Sequence, residues 1–235
     1  MKDYLFLPDR LKAVARHIPQ CHTLSDIGTD HAYIPIYAIK NNIADTAFAC
    51  DIVDGPLKIA AQNIASYNLT EKIGVVKSDG LKNAPESDVF VIAGMGGTLI
   101  GEILENDIEK AKKAELLVLQ PMTCAYELRK KLHETGFEII DESIAKDTGK
   151  LYNIIVAKKG NQLFDDEIFY YVGKATVDKN DPLLGEFLSH KINVLKKRVA
   201  NMQNSENPEV RCEAESHKKL IEAYIRVGEK VGYSW

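Results

Sequence analysis

Apolar residues along the first 160 positions fall in short unbroken runs, separated by stretches where they recur every three or four residues. The runs predict strands at Thr23–Ile27, Ala47–Asp51, Ile73–Lys77, Val89–Ala93 and Leu116–Leu119. The stretches between predict helices near Tyr33–Asn41, Pro56–Tyr67, Gly97–Asn106 and Ala125–Glu134. "DVFVIAG" and "ELLVLQ" are apolar without alternation, as strands covered on both faces should be. Strands alternating with helices at this spacing predict a doubly wound, Rossmann-like α/β fold with a mostly parallel sheet. After Gly136 the rhythm changes: two strand patterns flank Lys146–Lys150, with Asp147 and Gly149 as turn residues, so the sheet should end in an antiparallel hairpin.

"GNQLFDD", from Gly160, marks a boundary, giving domains at residues 1–160 and 161–235. Beyond it Leu184, Leu188, Ile192, Leu195, Val199 and Met202 step by four or three. After "NSENP", with Pro208 at a helix start, Val210, Ala214, His217, Ile221 and Tyr224 repeat the stepping. Matching seams joined by a short connection predict a C-terminal helical coiled-coil hairpin. Such a seam closes within one chain or between two; a monomer is the expectation.

Composition narrows the class. The 235 residues are 45% hydrophobic and 27% charged, ordinary for a soluble globular chain with one large core and a small appendage. No apolar run nears the roughly 20 residues of a membrane span, and the first residues lack a signal-peptide core, so a cytoplasmic protein is expected. Cys21, Cys50, Cys124 and Cys212 form no CxxC pair, which argues against structural zinc or a disulfide framework; no metal is expected. A net charge of −4 announces no nucleic acid, so such binding would need a local basic patch.

Candidate chemistry sits in "LSDIGTDHAYIPI", residues 24 to 36, read as strand, tight turn and helix start. That geometry is a ready anion site. A dinucleotide fingerprint would place its second glycine where this chain has Asp30, and a carboxylate there repels a diphosphate. It suits a ligand that brings positive charge. S-adenosylmethionine (SAM) carries an ammonium and a sulfonium, so Asp26 or Asp30 could face the cationic end while turn amides bind its carboxylate. The alternative is that both acids only cap the turn and the helix.

Other strand ends weigh against mere capping. "FACDI" puts Asp51 after the second strand, placed to accept ribose hydroxyls. "VVKSDG" puts Asp79 and Gly80 after the third, where a carboxylate can accept from an adenine amine. "VIAGMGG" puts Gly94 and Met95 after the fourth, and no Walker-type GKS or GKT follows. Three acids after three consecutive strands, at the edge where open α/β sheets bind ligands, favour a site.

Asp26-Ile27-Gly28-Thr29-Asp30-His31-Ala32-Tyr33, followed by "CDI", "SDG", "AGMGG" and "LQPM", resembles the TrmK family, bacterial tRNA (adenine(22)-N1)-methyltransferases. The likeness runs from about Leu11 to Lys158 and reaches the helical tail in architecture only. It implies a class I SAM-dependent methyltransferase domain followed by a coiled-coil domain. By this resemblance Asp26, Gly28, Asp30 and His31 would form the first cofactor loop. Asp51 would hold the ribose, Ile52 would pack on the adenine, and Asp79 with Gly80 would hold its amine. Gly94 and Met95 would lie beneath the methionine moiety and the transferable methyl, with Asn63 a lesser buttress. The chain lacks the Asn/Asp-Pro-Pro-aromatic motif of exocyclic-amine methyltransferases, which favours attack by a ring nitrogen.

N1 of adenine is already a nucleophile, so orientation should carry most of the work. Asp30, His31 and Tyr33 are the candidates for handling the base as it gains charge. For the tRNA partner, Arg129 and Lys130, Lys196, Lys197 and Arg198, and Arg10 in "PDRLKAVARHI" are candidate phosphate contacts; a solvated helix face is the plainer account of each cluster. From Leu183 onward nine Lys and Arg face seven Asp and Glu, so the tail is cationic within an acidic chain. The competing expectations are a SAM-dependent methyltransferase acting on a protein or small molecule, an NAD-linked oxidoreductase, which Asp30 opposes, and a non-enzymatic interaction module.

Overall fold

The computed structural model describes residues 5, 7–202 and 207–234, in two compact units, Met1–Leu163 and Phe164–Trp235. In the first, the elements run α1 (Asp9–Arg16), β1 (Cys21–Ile27), α2 (Tyr33–Lys40), β2 (Ala44–Asp51), α3 (Asp54–Ser66), β3 (Ile73–Lys77) and β4 (Val89–Gly96). They continue with α4 (Gly97–Asn106), α5 (Ile108–Lys113), β5 (Leu116–Thr123), α6 (Ala125–Glu134), β6 (Phe137–Asp147) and β7 (Lys150–Lys159). The second unit holds α7 (Ile168–Val172), α8 (Lys174–Asp178), α9 (Leu184–Met202) and α10 (Pro208–Lys230).

One seven-stranded sheet carries the first unit, in the order β3-β2-β1-β4-β5-β7-β6. Pairings β3-β2-β1-β4-β5 are parallel, and β7 runs antiparallel to both β5 and β6. Val89, Phe90, Val91 and Ile92 of central β4 are all buried, which explains why that strand reads as an unbroken apolar run. The chain winds outward from β1 through β2 to β3, then returns to place β4 on β1's other side. The C-terminal ends of β1 and β4 therefore flank the point where strand order reverses, the place where open α/β sheets form a crevice.

The expected hairpin forms, with a different turn centre. Asp147 pairs with Lys150, leaving Thr148 and Gly149 at φ 48° and 77° as the two-residue loop. Two positive φ values fit the mirror-image turn whose twist matches the flanking strands. Helix α1 arises from "DRLKAVAR", with Val14 and Ala15 buried; the strand–helix rhythm did not anticipate it, nor the short α5, α7 and α8.

Within the second unit, α9 packs on α10. Leu184, Leu188, Ile192, Leu195 and Val199 are buried as the stepping requires, and Phe187 joins them. On α10 Ala214, Ile221, Tyr224 and Val227 are buried, while Val210 and His217 are only half-buried. Each buried aliphatic side chain contributes about 1.5–3 kcal/mol, so this seam is the main force holding the pair together. Pro208 does open α10, and the Asn207 side chain caps it by accepting from the Glu209 amide at 2.9 Å. The turn expected at "NSENP" lies outside the described residues at positions 204–206.

Candidate active site

β1 delivers Asp26 to the crevice, buried, and the chain then turns at Gly28 with φ 76°. A Cβ at Gly28 would collide with Met95 Cε, so the turn from β1 and the loop from β4 touch because glycine is there. The Gly28 and Thr29 amides both donate to the Cys50 carbonyl, at 2.8 and 2.9 Å. Those two amides bind the turn to the end of β2 and cannot cradle a ligand's carboxylate, contrary to the expectation for the turn. Thr29 Oγ1 accepts from the Ala32 amide at 3.2 Å, and Ala32, at φ 56°, leads into α2.

Side chains of the turn gather on its outer side. His31 Nε2 lies 3.1 Å from Asp30 Oδ2, and the His31 and Tyr33 rings stack with centroids 5.0 Å apart. Asn63 on α3 donates to the His31 carbonyl at 3.0 Å and so ties that helix to the turn. A cleft of about 240 Å³ is lined by Asp26, Gly28, Asp30, His31 and Tyr33 together with Pro8, Arg10 and Leu11 from the start of the chain. Burial pushes the Asp26 carboxyl up to about 6, with the charge of Asp51 adding to the rise; a hydrogen bond from Thr29 and the charge of Arg10 oppose it.

Further along the sheet edge, Asp51 ends β2 and accepts from the Val53 amide at 2.7 Å. Ile52 and Val53 follow it with 55% and 54% of their surfaces exposed, an uncovered apolar face beside a carboxylate. The Ser78 amide donates to the Asp51 carbonyl at 2.9 Å, which sets the loop bearing exposed Asp79 and half-buried Gly80 next to β2. Gly80 has φ 57° and Gly94 φ 85°. Among the described residues no cluster of His, Cys, Asp and Glu could hold a metal ion.

Comparison with known proteins decides the family. A model described as a methyltransferase domain matches residues 7–155. A Bacillus subtilis tRNA (adenine(22)-N(1))-methyltransferase is 41% identical over 160 residues, 67% of this chain and 67% of that protein. The chain belongs to the TrmK family. The crystal structure of B. subtilis TrmK superposes with a TM-score of 0.86 at 30% identity, covering 95% of this chain and 99% of that one. M. capricolum TrmK, solved with the cofactor product S-adenosyl-homocysteine, gives 0.81 at 30% identity over 95% and 99%. The domain model ends before the helical unit begins, whereas the TrmK structures extend through nearly the whole chain.

The site residues of this TrmK chain fit SAM rather than a dinucleotide. A diphosphate would meet Asp26 and Asp30 in a cleft where two turn amides are already spent. A nucleoside bearing a cationic tail would find instead a carboxylate after β2, an exposed Ile52 face and two carboxylates at the turn.

Two expectations about polar contacts change. Arg129 cannot touch RNA: it is fully buried, with Nε donating to Glu142 at 2.7 Å and Nη2 to Asn153 at 3.1 Å. A run of basic residues on a helix looks alike in sequence whether it faces water or the sheet, and α6 turns its Arg129 inward. Arg10 lies in the cleft, with Nη1 donating to Gln120 Oε1, rather than on an open face. Lys130 lies 4.7 Å from the Tyr126 ring centroid, and Lys196, Lys197 and Arg198 are exposed on α9. Sequence reasoning named Arg10 and the "LQPM" motif but did not single out Gln120 or join the two; the signals were that motif and a polar residue inside the apolar run "LLVLQP".

Proposed function

We propose that this chain is a SAM-dependent tRNA methyltransferase that modifies N1 of adenine 22. The observation carrying the reading is the carboxylate-bearing turn at the β1–β4 switch point, in a chain of the TrmK family. Asp26, Gly28, Asp30 and His31 serve the cationic end of the cofactor, Asp51 its ribose, and Ile52, Asp79 and Gly80 its adenine. Gly94 and Met95 floor the reacting end. SAM supplies a sulfonium-bound methyl, which the N1 lone pair takes in one displacement.

Asp30, His31 and Tyr33 handle the target base. The stacked His31–Tyr33 rings, fixed by Asp30 and by Asn63, offer a flat polarisable face beside the cleft. N1 lies on the pairing edge, so the base must leave its stack before it can be held there. Alanine at each of the three positions should lower the rate on saturating tRNA at least roughly tenfold, less than the roughly hundredfold or more of a general acid–base group because N1 needs no proton removed; an unchanged rate removes that residue from the assignment.

Lys130 and the α9 trio Lys196, Lys197 and Arg198 are assigned to tRNA phosphates, and Arg10 to the nucleotide entering the cleft. A monomer working on cytoplasmic tRNA without a metal completes the reading; α9 packs on α10 within one chain, and among the described residues no helix is long and apolar enough to cross a membrane.

The test is methyl transfer from labelled SAM to unmodified tRNA transcripts, followed by nucleoside digestion and mass spectrometry. N1-methyladenosine that disappears with Asp51→Ala supports the reading. SAM binding without tRNA methylation moves the substrate to a protein or small molecule.

A further inference from the structure

At the end of β5, Gln120 is a fully buried carboxamide within an apolar strand. Its Oε1 accepts from the Gly94 amide at 3.2 Å and from Arg10 Nη1. Its Nε2 donates to the Pro121 carbonyl at 2.9 Å and to Met122 Sδ at 3.7 Å. These partners fix the amide's orientation, because two donors converge on one end and a carbonyl faces the other.

The β4–β5 register explains why a side chain is needed. Ala93 pairs with Gln120 and Met95 with Pro121, so Gly94 is an extra residue on β4, at φ 85°. A bulged residue loses its ladder partner, and here the Gln120 side chain receives the Gly94 amide in place of a strand carbonyl. The same oxygen holds the Arg10 guanidinium, whose Nη1 lies 3.7 Å from where a Gly94 Cβ would stand. One buried amide thus ties α1, the bulge of β4 and the end of β5 together at the cleft.

We propose that Gln120 is a positioning residue for methyl transfer, acting through Arg10 and the Gly94 bulge rather than by touching substrate. The inference rests on the methyltransferase reading above, which assigns the reacting end of the cofactor to Gly94 and Met95. Glutamine meets all four contacts because it accepts on one side and donates on the other, and the two accepted ones reach Arg10 and the bulge. An ionised glutamate would keep both acceptor contacts but turn an oxygen toward the Pro121 carbonyl. A methionine would fill the space and keep neither contact.

The experiment measures kcat, KM for tRNA, and S-adenosyl-homocysteine affinity by calorimetry, for Gln120→Met, Gln120→Glu, Arg10→Ala and the Arg10→Ala/Gln120→Met double variant. Gln120→Met should lower kcat at least roughly tenfold while KM and product affinity stay within about threefold, and Gln120→Glu should recover most of the rate. The double variant should be no slower than the slower single one, because both substitutions remove the same contact. A Gln120→Met rate within twofold of wild type, or losses that multiply in the double variant, overturns the proposal. Should Gln120→Met not fold, Arg10→Ala decides: an impaired rate beside a near-normal Gln120→Glu supports it, and an unimpaired rate overturns it. Should the wild-type chain bind S-adenosyl-homocysteine yet methylate no tRNA, the tRNA reading fails, and the proposal that rests on it is overturned with it.

Discussion

The sheet unit and the helical unit use sequence in opposite ways. In the first, the demanding positions are single ones where strands end: Asp26, Gly28, Asp51, Gly80 and Gly94 each meet a backbone or burial requirement that few residues satisfy. In the second, a buried seam from Leu184 to Val199 and from Ala214 to Val227 fixes the architecture, and the outward face is constrained only to be polar. A point change should therefore be severe at the sheet's edge, whereas on α9 only the sum of several charges should matter. Basic residues sharpen the contrast: Arg129 in the sheet unit is buried and paired, while Lys196, Lys197 and Arg198 stand in solvent.

The largest effect should come from Arg129→Ala. It strands the Glu142 carboxylate in a fully buried position, and breaking such a pair costs about 3–5 kcal/mol. Urea unfolding should show that loss, while tRNA affinity per folded molecule stays unchanged. A weakened affinity in a fully folded variant would restore Arg129 to the RNA contacts and blur the contrast. Next comes Gly28→Ala, which forces an L residue to φ 76° and drives Met95 Cε aside. Strain of about 1–3 kcal/mol at a ligand turn corresponds to a roughly 5- to 150-fold weaker S-adenosyl-homocysteine affinity, readable by calorimetry; an unchanged affinity would separate the turn from the cofactor.

Asp26 shows what the site costs the fold. Its folded value of about 6 lies above the ordinary 3.8, so the proton it holds stabilises the native state in full below pH 3.8, and that contribution is lost as pH rises through about 6. The whole shift would be worth about 3 kcal/mol. Asn keeps only part of the Thr29 bond, so Asp26→Asn should be more stable than wild type by about 1–2 kcal/mol at pH 8, with the gain disappearing at pH 3.5. Product affinity should fall in the same variant. Equal stability differences at the two pH values would mean that the carboxylate is not held charged against burial.

How much of this was legible follows the same division. Continuous apolar runs located all five parallel strands, with both ends right for Ile73–Lys77 and one end short by two to four residues in each of the others, where the strand runs on past its apolar stretch. Gly97–Asn106 and Ala125–Glu134 were bounded correctly, since a glycine turn and a strand-end break precede them. Short helices such as α7 and α8, of five residues each, carry too few turns to show a period. The strand-end acids were visible because each follows an apolar run. Gln120 and the inward turn of Arg129 were not, since both depend on which face meets another element across more than ten residues of chain. The opening turn was half legible: its acids do line one cleft, but only the β1–β2 register shows that Cys50 takes two of its amides.

The smallest and most discriminating effect should come from the helical unit. Replacing Lys196, Lys197 and Arg198 together by alanine leaves buried Leu195 and Val199 in place, so α9 should keep its seam. Three lost phosphate contacts should weaken tRNA binding about tenfold near 0.1 M salt, and flatten the dependence of log affinity on log salt by about two to three. Product affinity in the sheet unit should not move. Each single replacement should fall within about threefold, because a screened surface charge contributes little alone. A flattened slope without a change in product affinity would assign the long-range attraction of tRNA to the helices and the chemistry to the strand ends. An unchanged slope would instead confine recognition to the sheet unit, leaving the seam of α9 and α10 to explain only its own stability.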